Sequence, residues 1–351
     1  MDHLYLSGAR QRELLIKREE EYNLYDNALI CFVDTHTHQA EPVVNYQTPA
    51  HARASSISSC AFKSGTVVDN ILYICTNTEV LLFELPSMQR VGYVSLPCFN
   101  DVHHVTPSSD GTLLAVSTGL DMVLRFDRAG NVIEEWSTLG EAPWARFSQQ
   151  IDYRKVETTK PHLSHPNYVF ELGREVWVTR CHQRDAICLS RPGNRIDIAV
   201  ERVHDGLLFN ERLYFTTVDG RVVVVDPRSL QVESIFDLNT FHPGEPTLLG
   251  WCRGILPLDE RRIWVGFTRV RKTKFRENLL WVKRRFKDGV REMPTHIALY
   301  DIAERRCLQQ IDLERWGMNL VFGIFGADSS IPKHGVLRAT PVELGLEANS
   351  A

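Results

Sequence analysis

One pattern of hydrophobic and polar positions recurs along almost the whole chain: an apolar run, a polar turn, then a second run in which apolar and polar residues alternate. Its six copies are LICFVDTHTHQAEPVVNYQTP from Leu29, VLLFELPSMQRVGYVSLP from Val80, MVLRFDRAGNVIEEWSTL from Met122, AICLSRPGNRIDIAVE from Ala186, VVVVDPRSLQVESIFDL from Val222 and IALYDIAERRCLQQIDL from Ile297. The first runs are rich in Val, Ile, Leu and Phe and stop at Pro, Gly, Asn, Asp or Ser, which is how a strand ending in a turn reads. Ahead of five copies stands another pair of short apolar runs broken by SGTVVDN, SSDG, LGRE, FNER or LDER. Each unit therefore contains four strands.

Repeated four-stranded units predict an all-β fold, a β-propeller, in which radial repetition leaves only short sheet edges. The copy from Leu29 has no hairpin before it, and MNLVFGIF from Met318 has none after it. Joined, they make a closing blade, so the expectation is six blades of four antiparallel strands, with five blades as the alternative. The fourth strand of that blade is expected from GADSSIPKHGVLRATP, after Phe325. The predicted organisation is a helical segment over 1–26, with its helix at Ala9 to Tyr22, a propeller over 27–340 and a tail over 341–351. Insertions over 140–164 and 269–295 interrupt the propeller. Long ordered insertions of this kind often carry function.

Composition refines this picture only modestly. With 43% apolar and 24% charged residues and a net charge of -4, the chain reads as globular and names no partner. No apolar run nears the roughly 18 residues that span a bilayer, and the first residues lack the apolar core of a secretory signal. A cytoplasmic protein without a transmembrane segment is the expectation. The eight cysteines are scattered singly, without CxxC pairs, and are expected as free thiols.

SSDGTLLAVST followed by VLRFDRAGNVIEEW resembles the repeat of NHL and YncE-type propellers, and the resemblance runs from about Ser58 to Leu313. Such propellers host lactonases, lyases, sulfotransferases and binding proteins. The resemblance thus implies a ligand pocket on the ring axis and no single chemistry.

In a propeller the inner strands all start at one end of the central channel, so residues far apart in sequence converge there. The predicted starts supply Asp101, His103 and His104, then His165 and Asn167, then His204 and Asp205, then Cys252 and Arg253. The first complete blade supplies Ser59 and Cys60, and the closing blade Asn319. Three consecutive blades thus offer imidazole, the commonest side-chain ligand of iron, zinc and copper. A transition metal on His103 or His104, His165 and His204 is one expectation. Asp101 or Asp205 would then orient a ligand histidine, and Arg253 would stabilise anionic charge. Asn167, Arg180, Cys252 and Asn319 are candidates to contact the substrate. An organic ligand pocket and a purely structural use of the same histidines stand beside that reading. His36 and His38, in DTHTH, read as a solvated turn. No GxSxG, GKS/T, GxGxxG or HExxH motif occurs.

The segment 269–292 holds ten Lys and Arg against three acidic residues, with Leu279, Leu280, Trp281, Val282 and Phe286 interleaved. It reads as a lid over the ring or as a basic face for an anionic protein partner; nucleic acid is not expected. Two functions remain open. One is a small-molecule-binding propeller, probing a polar or anionic ligand at the channel mouth and acting as a metal-assisted enzyme. The other is a non-catalytic interaction propeller using its top face and the basic insertion.

Overall fold

The computed structural model describes residues 1–13, 21–244, 248–270 and 293–327. Within them are six sheets of four antiparallel strands. The inner strands, in order round the channel, are Gly65–Val68, Val102–Pro107, Pro166–Leu172, Leu207–Phe209, Trp251–Pro257 and Leu320–Gly326. The expected six-bladed ring is present. No helix among the described residues is long and apolar enough to cross a membrane.

The continuous apolar runs have a direct cause. Successive side chains of a strand point to opposite faces, and in this ring both faces of a blade are covered by its neighbours. In Ile71–Cys75, Leu72 and Ile74 pack toward the closing blade with Tyr5, Ile30 and Phe325, while Tyr73 and Cys75 pack toward the next blade with Val105, Leu113 and Phe126. A strand buried on both faces needs no polar alternation. The outermost strands Gln231–Asp237 and Arg306–Asp312 begin with exposed residues, and there exposed and half-buried positions alternate. The cysteines are free thiols, seven of them buried.

The closing blade differs from expectation in one strand. Its order is Leu320–Gly326, His3–Gln11, Tyr25–Asp34, Gln39–Tyr46, so three strands come from the start of the chain. The fourth strand is His3–Gln11, not the segment after Phe325, of which residues from 328 onward lie outside the described residues. The propeller thus begins at residue 3 rather than 27. Ala9 to Gln11, expected as helix, are strand; 14–20 lie outside the described residues, and Glu21–Asn23 is a single 3-10 turn. His3–Gln11 is buried from Leu4 to Ala9 because it lies between two strands of its own sheet and between two blades, so its sequence lacks the alternation that marks a half-exposed strand.

The insertion over 140–164 is an irregular segment that packs on the ring through Tyr153, whose carbonyl, with that of Val156, accepts from the side-chain amide of Asn100 at 2.8 Å. Most of the other insertion, 271–292, lies outside the described residues, and the anionic-partner expectation lies there with it. Its first residue, Arg269, is held by Glu314, with a 2.7 Å bond from Nε.

Closure is tightest at Gly8, opposite the kink in Leu320–Gly326. A Cβ at Gly8 would lie 1.7 Å from the Leu320 carbonyl oxygen, so backbone rather than a mobile side chain must yield. Gly8→Ala is expected to cost ~2 kcal/mol or more, at the upper end of overpacking penalties. Urea denaturation measures this, and an unchanged midpoint would show that the closing strands separate without cost.

Candidate functional site

The inner strands bring one side chain from each blade to a common layer at the end where they start. These are Lys63, His103, His165, His204, Arg253 and Phe322. Phe322 lies at the centre: its ring is 5.8 Å from that of His103 and 5.5 Å from that of His204. The Arg253 guanidinium stands 4.4 Å and the Lys63 ammonium 5.9 Å from its centroid. His103 in turn lies 5.1 Å from His165 and 6.2 Å from His204.

Backbone irregularities aim several of these side chains. The register slips between Val102 and His104, between Cys252 and Ile255, and between Val321 and Gly323 against Gly8 and Ser7. His103, Arg253 and Phe322 sit at the slips. A bulge turns its extra residue out of the sheet's pleat, and it recurs here blade after blade. His165 and Asp101 take left-handed backbone with φ of 50° and 51°. His165 is held in that conformation by buried Asp121, whose carboxylate accepts from the amides of Leu163, Ser164 and His165 at 2.9, 3.0 and 2.9 Å. The insertion before it thus ends in a fixed cradle.

Hydrogen bonds set the imidazole tautomers. His103 Nδ1 is 2.7 Å from the Asp101 carbonyl, which only accepts, so Nδ1 carries the proton. His204 Nδ1 donates to the Asp205 carboxylate at 3.2 Å, and the other Asp205 oxygen accepts from the Gly254 amide at 2.9 Å and from the Thr216 hydroxyl. Thr159 gives its proton to the Gly119 carbonyl and therefore accepts from His162 Nε2; His162 Nδ1 then accepts from His165 Nδ1 at 2.8 Å. All three rings carry the proton on Nδ1 and the lone pair on Nε2. His204 Nε2 is buried with no hydrogen-bond partner among the described residues.

The charges reinforce this arrangement. Burial, then the Lys63 ammonium, pushes the His103 imidazole well below its ordinary value; burial likewise lowers His204 against the opposing pull of Asp205. Both are neutral near pH 7. Burial alone would raise Asp101, but the Lys63 ammonium, in contact with its carboxylate, overrides burial and holds it well below the usual range. Burial also opposes ionisation of Asp205, and its bonds to His204, Thr216 and Gly254 outweigh it.

Of the residues singled out from sequence, Asp101, His103, His165, His204, Asp205 and Arg253 meet in this layer. His104 does not. It is fully buried, stacked on Tyr168 at 3.6 Å, with Nδ1 accepting from the Val169 amide and Nε2 facing Thr66. Arg180 is clamped to Asp185 and the Thr138 carbonyl, Cys252 is in the core between blades, and Asn319 accepts from the Gln11 amide. Asn167 ties two blades together through the Val203 carbonyl. Ser59 and Cys60 lie near Tyr25 and Thr48, away from the layer. Lys63 and Phe322 are missing from the predicted set, and His162 is expected in a loop or outer strand without a role. The first two belong to blades whose strand starts were placed three or four residues too early, and His162 lies in an insertion with no repeat to locate it. Among the described residues, no three His, Cys, Asp or Glu side chains are grouped so as to hold a metal ion.

No family model and no curated protein matches the chain. Among solved structures, a protein of unknown function from Bacteroides caccae aligns over 92% of this chain and 97% of its own, with 12% identity and a TM-score of 0.58. A chain of the nidogen/laminin complex aligns over the same shares, with 8% identity and a TM-score of 0.54. These neighbours share the fold alone. They support a propeller without singling out the NHL or YncE type. Virginiamycin B lyase from Staphylococcus aureus aligns over only 59% of the chain, at 16% identity and a TM-score of 0.41, too partial a likeness to inform the site.

The neutral histidines make stability acid-sensitive. His103, His104, His204 and His296 are all lowered by burial from 6.5, His104 to about 3 and His296 to about 4. Below about pH 6.5 the unfolded chain takes up protons that these folded imidazoles refuse, so their contribution is complete above that pH and is lost as pH falls. The carboxylates with lowered values add their own loss only further down, below about pH 4. Urea unfolding is expected to weaken from pH 7 to pH 5 by up to ~1.4 kcal/mol per pH unit for each such group. A flat profile would mean that the folded imidazoles take up protons over the same pH range as those of the unfolded chain.

Proposed function

We propose that the protein is a small-molecule-binding propeller that takes an anionic ligand at the histidine end of its channel and acts on it by general acid–base chemistry. The observation that carries this reading is His204. Its Nδ1 proton is fixed on Asp205 while its Nε2 lone pair, buried and without a hydrogen-bond partner among the described residues, stands near Phe322 and His103. A carboxylate that orients an imidazole in this way prepares Nε2 to take a proton from a bound molecule. Lys63 and Arg253, both close to the Phe322 ring, supply positive charge where an anionic group or a developing oxyanion would sit, and the dry surroundings strengthen both. His165, half-buried within the layer, has exposed His182 at a ring separation of 5.7 Å.

A second reading draws on the same tautomers. Metal-bound histidines commonly donate Nδ1–H to a carboxylate or carbonyl and present Nε2, as His103 and His204 do here. An iron, zinc or copper ion on His103, His165 and His204 would need these rings to turn toward one another. The bonds fixing Nδ1 resist that movement.

Calorimetric titration with inorganic phosphate, sulfate and a panel of small carboxylates tests the first reading. At least one is expected to bind saturably, and Lys63→Met or Arg253→Met is expected to weaken it at least tenfold, about 1.4 kcal/mol, as loss of a charge-assisted contact would. For any anion that is turned over, His204→Gln is expected to remove roughly 10²-fold or more of the rate while binding persists. The absence of saturable anion binding would defeat this reading. Elemental analysis of untagged protein addresses the second: about one equivalent of metal, lost in the double variant His165→Ala, His204→Ala, would favour it.

A further inference from the structure

The channel continues past the histidine layer. From the opposite end of the ring a cavity of about 370 Å³ runs inward, rimmed by the turn at Asp69 and Asn70, walled by Val67, Leu207, Ile255 and Ile324, and ending at Tyr168 and Asp205. That volume lies within the range of small-ligand pockets, which are mostly apolar with a few placed polar groups. We propose that this cavity is a second binding site, separate from the histidine mouth, for an elongated apolar molecule carrying a protonated amine at its inner end.

The charge at the inner end selects the head group. Asp205 is an ionised, 1% exposed carboxylate whose oxygens are held by His204 Nδ1, the Thr216 hydroxyl and the Gly254 amide. Two of these donors, the hydroxyl and the amide, carry no charge. They satisfy the carboxylate's geometry without cancelling its charge. A carboxylate has about four acceptor positions and these donors occupy three, which leaves one for a ligand. Tyr168 beside it remains a phenol, because burial and the charge of Asp205 both oppose its ionisation. The inner end thus offers one negative charge and one neutral hydroxyl inside aliphatic walls. A protonated amine complements that charge, a neutral alcohol only supplies a hydrogen bond, and a carboxylate is repelled.

The walls set the orientation. No ionised group competes for a charged head along the aliphatic stretch of Val67, Leu207, Ile255 and Ile324, and the carboxylate of Asp69 at the rim is exposed and screened by solvent, so the head seats at buried Asp205 and the apolar tail extends toward the rim. The site at the histidine mouth depends on Lys63 and Arg253, whereas this one depends on neither. The two share Asp205, one oxygen of which orients His204, and Lys63→Met tells them apart.

Titration calorimetry of the whole protein at neutral pH with n-octylamine, n-octanol and octanoate tests the proposal. Octylamine is expected to bind saturably at one site, octanol at least tenfold more weakly, and octanoate not at all. Val67→Trp, at a half-buried wall position, and Leu207→Phe, nearer the inner end, are each expected to weaken octylamine at least tenfold while the circular dichroism of the ring is unchanged. Lys63→Met is expected to leave octylamine affinity within twofold while altering anion binding at the other mouth. Octanol or octanoate binding as tightly as octylamine would overturn the head-group assignment. Octylamine binding that neither wall variant disturbs, or no saturable binding at all, would overturn the site.

Discussion

The pairing of His3–Gln11 with Leu320–Gly326 is the constraint on which the rest of the molecule depends. Without it the inner edge of the first strand and the outer edge of the last would be open, and an open strand edge is a row of unsatisfied backbone groups. The pairing also reaches into the site. The Ser7 hydroxyl donates to the Lys63 carbonyl at 2.8 Å, and the Phe62 amide donates to the Gly8 carbonyl at 3.1 Å. The closing strand therefore fixes the segment that carries Lys63, and the kink in its partner strand carries Phe322. Two of the six side chains in the central layer owe their position to ring closure.

The layer itself balances burial against charge. Lys63, His103, His204 and Asp205 are each at most 5% exposed, a setting in which an ionised group needs a partner. Lys63 finds one in Asp101, and Asp205 is held by neutral donors while the imidazoles remain uncharged. The outcome is a channel with unlike ends. Cations and neutral imidazoles gather at the end where the inner strands start, and a carboxylate backed by aliphatic walls faces the other. Asp205 belongs to both, because one oxygen receives the His204 proton while the residue also lines the far cavity.

The insertion over 140–164 shows how an irregular segment becomes part of so rigid a frame. Tyr153 anchors its middle in the core, and Asp121 gathers the amides of its last residues and of His165. Arg146, on the same insertion, pairs with Asp121 at 2.8 Å and so binds the segment to its own cradle. His162 is delivered to His165 by this route, and the resulting contact decides which nitrogen of His165 carries the proton.

The repeating apolar runs determined the fold. A strand covered on both faces by neighbouring blades must be apolar throughout, and a four-strand unit must end in turns, so both facts are written locally in segments such as VLLFELP and VVVVDP. The same logic located Asp101, His103, His165, His204, Asp205 and Arg253 near one end of the channel, because residues at equivalent strand starts converge. It failed for His3–Gln11, whose buried pattern resembles no half-exposed strand and whose partner lies more than 300 residues away. It also failed to separate His103 from His104. Adjacent residues of a strand face opposite sides, and only the register slip at Val102 and His104 decides that His103 enters the layer while His104 stacks on Tyr168. Bulges, ring closure and the tautomers set by Asp101, Asp205 and Thr159 are relations between strands and loops distant in sequence, so the tertiary structure alone decided them.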